Sequence, residues 1–456
     1  MKRVFLGCAS LLLFAAQANA QTPNAPPSEP EGSGPDAPVR PPSAEPAPPA
    51  ANAPEPAPVA PDNPPLAAVA APRAPAALAA PAPAAAAPPG PRPAPASALK
   101  IETPSSSVKI GFLLQPAYEV VGSSTLDSGS QNVFVRRVRL LLGGTIFKDF
   151  EYFFDTDYPD LFKANASTGS KNTPGMNVQD AFGTWKAIGD QLKIDLGYML
   201  PPLQHNAVQG ATTLYGWDYF AYAFRHSAAF NSSGNPIGRD AGVQVRGLVL
   251  DGHLEYRVGL FQGRRNAASD TQEGSRNMFR VAGRVQVNIL DPEPGFFYAG
   301  SYLGAKKILS LGASYDFQDS YRRWAVDAFA DLPAGPGVFT GQLNFVHADG
   351  DDFLMNAPAM AGGTETPALP EQNAIMAELG YLVDDVNLSP ILRFERLWFP
   401  ESDASETRFG GGLAFWPYGH NVNVKAFFQR ITPDTPAVAD DHAFNQFNFQ
   451  TQFYVF

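Results

Sequence analysis

The sequence predicts an all-β fold: a transmembrane antiparallel β-barrel of about 16 strands with one loop folded inward. Three observations point there. From Val108 to Phe456 the chain runs as short, aromatic-rich segments separated alternately by tight turns and by long loops. Within the clearest segments polar and apolar residues alternate, which gives each strand one wet and one apolar face. No apolar run after the first twenty residues approaches the length of a spanning helix, so any membrane crossing is made by strands. The closing segment, Gln452 to Phe456, is an aromatic strand with no polar tail behind it, as expected of the last strand of such a barrel.

The chain has 456 residues, which alone fits one large barrel or several small domains. Residues 1–20 read as a secretory signal: Lys2 and Arg3, an apolar run from Val4 to Ala16, then Ala18-Asn19-Ala20 before a cut at Gln21. Cys8 precedes the apolar Leu11-Leu12-Leu13-Phe14 run instead of following it, the wrong order for a lipid anchor. Its removal leaves a mature chain with no thiol, hence no disulfide framework and no cysteine metal site. Residues 21–99 are a Pro/Ala-rich spacer with too little large apolar side chain to offset the entropy of folding, expected to lie extended in the periplasm, near peptidoglycan. Residues 100–456 form the barrel domain. The formal net charge of -11 argues against a nucleic-acid partner, because neutralising phosphates takes a basic surface.

Taken in order, the strand-like segments begin with Val108–Tyr118 and Val133–Lys148, the second meeting 149–155 across a tight turn. After the Gly/Ser/Asn-rich stretch Asn165–Asn177 come Val178–Ile188, the turn Gly189-Asp190, and Leu192–Met199. Strand pattern then lapses from Pro201 to Pro236. It resumes with Ala241–Leu250 and His253–Phe261, joined by Asp251-Gly252, and with Met278–Ile289. The piece Phe296–Leu303 is read as connector. Eight more segments follow at Ile308–Phe317, Tyr321–Ala330, Val338–His347, Ala374–Val383, Pro390–Phe399, Phe409–Trp416, Val422–Ile431 and Phe447–Phe456, and the total, sixteen with 149–155, is the even number a closed single-chain barrel requires. In Ala241–Arg246 the residues Gly242, Gln244 and Arg246 share one face, and in the next strand His253, Glu255 and Arg257 do. Polar residues inside and apolar residues outside describe a wall around water; a soluble sandwich would need a second layer over the apolar face.

A selective pore needs a lining that replaces part of a solute's hydration. By alternation the cationic lining is Arg137, Arg139, Lys186, Lys193, Arg246, Arg257, Arg280, Arg284, Arg393 and Lys425, among inward acids that include Glu151, Asp155, Asp195, Glu255, Asp327, Glu378 and Glu395. Such mixing serves equally to rigidify the wall by cross-strand pairs. The insert Pro201–Pro236 is the expected constriction, folded in with aromatics such as Tyr215 and Trp217 against the wall and Arg225 or His226 near the path; an external cap, or in part another strand, is the alternative. The aromatic groups Tyr152-Phe153-Phe154, Phe296-Phe297-Tyr298 and Trp398-Phe399 are read as interfacial girdle or strand residues. No nucleophile elbow, zinc-protease helix or phosphate-binding Gly-Lys-Ser/Thr loop occurs in the sequence, and its six histidines lack ligand spacing. No enzyme activity, cofactor or metal is expected.

From about Ser106 to Phe456 the chain resembles the bacterial phosphate-selective porin O and P family. The resemblance rests on Val135-Arg136-Arg137-Val138-Arg139-Leu140, Gly197-Tyr198-Met199-Leu200-Pro201-Pro202, Gly238-Arg239-Asp240-Ala241-Gly242-Val243-Gln244, the stretch Tyr302 to Gly312, and Tyr315-Asp316-Phe317. It implies sixteen antiparallel strands, a homotrimer in the lipids of the outer membrane, an inward third external loop, and passive uptake of phosphate or other small anions along an Arg- and Lys-lined path. The chain departs from the family where Pro201-Pro202-Leu203-Gln204-His205-Asn206 replaces the frequent Pro-Pro-Phe-Gly-Leu-Glu, at the start of the expected constriction loop.

Overall fold

The computed structural model describes residues 97–123, 129–165, 168–173, 175–224, 238–263, 278–350, 370–434 and 442–456. Seventeen strands form one sheet. They are β1 Leu99–Glu102, β2 Ser106–Val121, β3 Ser130–Ile146, β4 Phe150–Asp157, β5 Asn177–Ile188, β6 Leu192–Met199, β7 Asp240–Val249, β8 Leu254–Phe261 and β9 Arg280–Asn288. The second half comprises β10 Ile308–Gln318, β11 Tyr321–Ala334, β12 Gly337–Asp349, β13 Gln372–Val383, β14 Leu388–Trp398, β15 Ser405–Tyr418, β16 Val422–Asp434 and β17 Phe444–Val455.

Strands β2 to β17 pair in chain order, all antiparallel, and β17 closes on β2 from Gln446↔Val121 to Val455↔Phe112, giving a 16-strand ring. Closure leaves no open edge around the ring, the condition for a sheet in hydrocarbon. The expected strand count is met. The sequence did not predict β1, which lies outside the ring. It pairs with β2 alone, from Leu99↔Ile110 to Glu102↔Ser107, and so covers the part of β2 that β17 does not reach. Pro116 sits inside β2 without breaking it, because the register shifts by a bulge between Gln115 and Pro116, where a missing N–H does no harm. Gly111 allows the seam to close: a Cβ there would overlap the Val455 carbonyl.

Alternation holds around the wall. On β14, Ser389, Arg393 and Glu395 are buried toward the lumen, while Leu392 is 60% exposed on the outside. The same outward apolar face carries Leu196, Val258, Leu311, Leu343, Leu379, Phe409 and Leu413, a band suited to lipid and unsuited to water.

The two ends differ. At the end where Phe456 lies, the connections 147–149, 189–191, 250–253, 335–336, 384–387 and 419–421 are short. One connection at that end, 289–307, is long. Phe296, Phe297 and Tyr298 are therefore not girdle residues as expected: they lie in the lumen, where Phe297 meets the Phe153 ring at 5.8 Å and Tyr298 is 1% exposed.

Candidate functional site

Among the described residues, two segments enter the lumen, one from each mouth. The first follows β6. Its turn of helix, α1 His205–Val208, is docked through its leading N–H groups: His205 N donates to Asp327 Oδ2 (3.1 Å) and Asn206 N to Asn344 Oδ1 (3.2 Å). Beyond it the chain is too aromatic to lie in water. Leu203, Ala207, Phe220, Tyr222 and Ala223 bury themselves against Ala325, Val346, Met376 and Leu397 of β11 to β14. The expected inward loop is thus present through Phe224, with Tyr215 buried and Trp217 partly buried on the wall cluster around Trp416. Arg225 and His226 lie outside the described residues.

This loop is latched to a basic patch of the wall. Asp218 accepts from Arg136 Nε (2.9 Å) and Arg137 Nη2 (2.7 Å) on β3. Arg393 Nη2 on β14 donates to the Asp218 carbonyl (2.7 Å), and Lys425 Nζ on β16 to the carbonyls of Leu214 (2.5 Å) and Gly216 (2.8 Å). Burial pushes the Asp218 carboxyl up, but Arg136 and Arg137 outweigh it and hold the group well below the usual carboxylate range. Gly380 on β13 makes room for the Tyr215 ring, which stacks parallel to Trp416 at 6.2 Å. Gly380→Leu should expel that ring and cost about 1–3 kcal/mol by overpacking. A lowered thermal midpoint with a reduced near-UV aromatic signal is the expected result; an unchanged pair of readings removes Tyr215 from the latch.

The second segment, between β9 and β10, crosses the short-turn mouth as a bar. Arg257 Nη1 and Nη2 donate to the carbonyls of Phe296 (2.7 Å) and Gly295 (3.1 Å), and Lys193 Nζ to that of Pro294 (3.4 Å). On the β11 side Ser301 Oγ and Tyr302 N reach Asp331, and from the β15–β16 turn His420 Nε2 bonds the Ser301 carbonyl at 2.8 Å. The two segments meet in mid-lumen in a parallel bridge, Gln209↔Tyr298, with Gly210 N donating to the Tyr298 carbonyl (2.9 Å) and Gly300 N to that of Thr213 (3.1 Å). The His205 ring lies between Tyr298 and Phe329, at 4.7 and 4.3 Å, and its Nε2 is 3.1 Å from Glu293 Oε2. Burial raises the Glu293 carboxyl, yet His205, Tyr302 and Gln286 outweigh it and leave the group below its ordinary value.

Strand register places five of the ten expected lining cations directly opposite one another. Lys186↔Lys193↔Arg246↔Arg257↔Arg284 form a continuous row across β5 to β9. Like charges in such a row repel unless compensated. Each has a carboxylate: Lys186 with Glu151 (2.8 Å), Lys193 with Asp190 (2.5 Å), Arg246 with Asp195 (2.7 Å), Arg257 with Glu255 (2.7 Å), and Arg284 with Asp327 (2.6 Å). The other five are spread elsewhere. Arg137, Arg393 and Lys425 hold the loop; Arg139 binds Asp155 and Asp157 (3.3 and 2.9 Å); Arg280 binds Asp316 (2.7 Å) toward the long-loop mouth. All ten face inward, and all except Lys186 are buried, with carboxylates and backbone carbonyls occupying their donors, as the mixing with inward acids allows.

The expected list missed Asp218, Glu293, Asp316 and the bar. Asp218 and Asp316 gave no signal, being single acids whose partners are remote in sequence. The bar did give one: 289–307 is a long connection where the alternation of turns and loops calls for a short one.

No family model matches the chain, and no curated protein matches it either. Solved structures do. An anion-selective porin from Comamonas acidovorans is similar over 76% of this chain and 99% of its own, at 13% identity and a TM-score of 0.51. The outer-membrane channel DcaP of Acinetobacter baumannii aligns over 79% of this chain and 100% of its own at 11% identity and TM-score 0.47. OmpF of Salmonella typhi, solved with daunomycin, aligns over 78% and 100% at 12% identity and TM-score 0.48. At these identities the first likeness establishes the fold, a closed antiparallel barrel.

Proposed function

We propose that this chain is a passive diffusion porin of a bacterial outer membrane, passing small anions of the phosphate class through a constricted lumen. The observation that carries the reading is the in-register row Lys186, Lys193, Arg246, Arg257 and Arg284 on the inner face of a closed barrel. Guanidinium forks in a row offer successive bidentate partners to an oxyanion, and their carboxylates keep the row folded when it is empty. The outward apolar band would meet membrane lipid, the assembly would be a homotrimer, and residues 21–99 would form a periplasmic spacer close to peptidoglycan.

Planar-bilayer reversal potentials under a salt gradient test the charge preference. Anion preference is expected, reduced when Arg246 and Arg257 are replaced together by glutamine; cation preference in the unsubstituted protein rejects the anion reading. The meeting of the two inserted segments favours a second reading, a structural barrel tethering the envelope through its spacer. That reading predicts no current under any condition and a cell-envelope defect on deletion of residues 21–99.

A further inference from the structure

The bar and a permeating anion would need the same hydrogen-bond donors. Arg257 is 1% exposed; its Nε is taken by Glu255, and both terminal nitrogens are given to the Phe296 and Gly295 carbonyls. Next to it in the row, Arg246 Nη1 and Lys193 Nζ both point at the Pro294 carbonyl, at 3.5 and 3.4 Å. Three consecutive backbone oxygens thus sit where the oxygens of an oxyanion would sit. We infer that residues 292–302 are a self-inhibitory bar, whose carbonyls hold the row in place of solute, and that an oxyanion bound to the row displaces it. The inference rests on the anion-channel reading.

The direction of the exchange follows from charge. A guanidinium gains from a full anion a charge–charge attraction and a bidentate partner that a neutral carbonyl does not offer. Away from the row the bar is held at its β11 end, where Ser301 and Tyr302 reach Asp331 and His420 bonds the Ser301 carbonyl, and by its contact with the loop, where Tyr298 packs with Leu200 and Val208. That contact can be locked. A Cβ built on Gly210 would lie 3.8 Å from the Phe297 Cβ, the usual spacing in a disulfide, and meets nothing closer than 3.5 Å. The chain's single cysteine, Cys8, falls in the expected signal, so the engineered pair stands alone in the mature protein.

The experiment uses the mature full chain carrying Gly210→Cys and Phe297→Cys in planar bilayers with inorganic phosphate as the probe. Reduced protein is expected to conduct, oxidised protein to lose its current, and reduction to restore it. Phe297→Cys alone supplies a second reading that needs no disulfide: its alkylation should accelerate several-fold as phosphate rises, stay flat with sucrose, and lose its phosphate dependence when Arg257→Met is added. Oxidised protein that conducts like the reduced form overturns the bar, and so does alkylation indifferent to phosphate. Unsubstituted protein with no current at any phosphate concentration overturns the channel reading itself, a separate result.

Discussion

Arg284→Leu should be among the most damaging single changes in the wall, costing about 3–5 kcal/mol, because it leaves a buried carboxylate without its partner. Arg284 gives Nη1 to Asp327 at 2.6 Å and Nη2 to Asp327 and Gln286 at 2.8 and 2.7 Å. It also reaches the Leu203 carbonyl of the loop at 3.3 Å and the Tyr298 hydroxyl of the bar at 3.2 Å. One guanidinium therefore ties wall, loop and bar together, and Asp327 in turn docks α1. Thermal unfolding in detergent should show the loss, with Arg284→Lys intermediate because it keeps the charge and lacks the fork. A midpoint within error of the unsubstituted protein would sink this account of the nexus.

The second large effect is expected at Asp218. Asp218→Asn keeps the shape and removes the charge that two buried arginines share, and should loosen the loop by on the order of 3 kcal/mol. Arg136 would keep Asp160 at 3.2 Å and Arg137 would keep Gln115 at 3.0 Å. The pH dependence has a definite sign. A carboxyl whose folded-state pKa is depressed stabilises the fold fully above its unfolded value, about 3.9, and loses that contribution only as pH falls toward the folded value. The stability difference between Asp218 and its asparagine variant should then be constant from neutral pH to about pH 4 and shrink below it. Denaturant titrations of both proteins across that range measure the difference; one that collapses between pH 7 and pH 5 would mean the arginines do not control this group.

Much of the barrel was legible because a strand carries its environment in its own pattern. Gln244 and Arg246 inward against Val243 outward follows from a period of two, and the structure keeps that assignment. The boundaries were less legible: β2 runs Ser106–Val121 where the pattern marked Val108–Tyr118, since hydrogen bonding continues into residues with no alternation of their own. β1 was invisible. Four exposed residues have no pattern to show, and what makes them a strand is the stretch of β2 that β17 leaves unpaired.

The candidate site divides the same way. That Arg246 and Arg257 face inward is a property of each strand. That they stand opposite each other, with Lys193 and Arg284 on either side, is a property of register between strands, which turn geometry and ring closure set. Phe296-Phe297-Tyr298 looked like girdle residues because an aromatic group next to a turn has the same composition whether it meets lipid or folds into a lumen. Contacts with residues far away in the chain, Phe297 with Phe153 and Tyr298 with Gln209, decide between the two.

By itself, the sequence determined the closed sheet, its even strand count and the sidedness of its residues, and marked the long insert after β6, all of which follow from local periodicity and from the length of connections. The tertiary structure decided which charges meet, that carbonyls of two inserted segments occupy the basic wall, and that the two segments join in mid-lumen. Those outcomes depend on pairings between residues distant in the chain, and no local pattern encodes a partner that lies on the other side of a barrel.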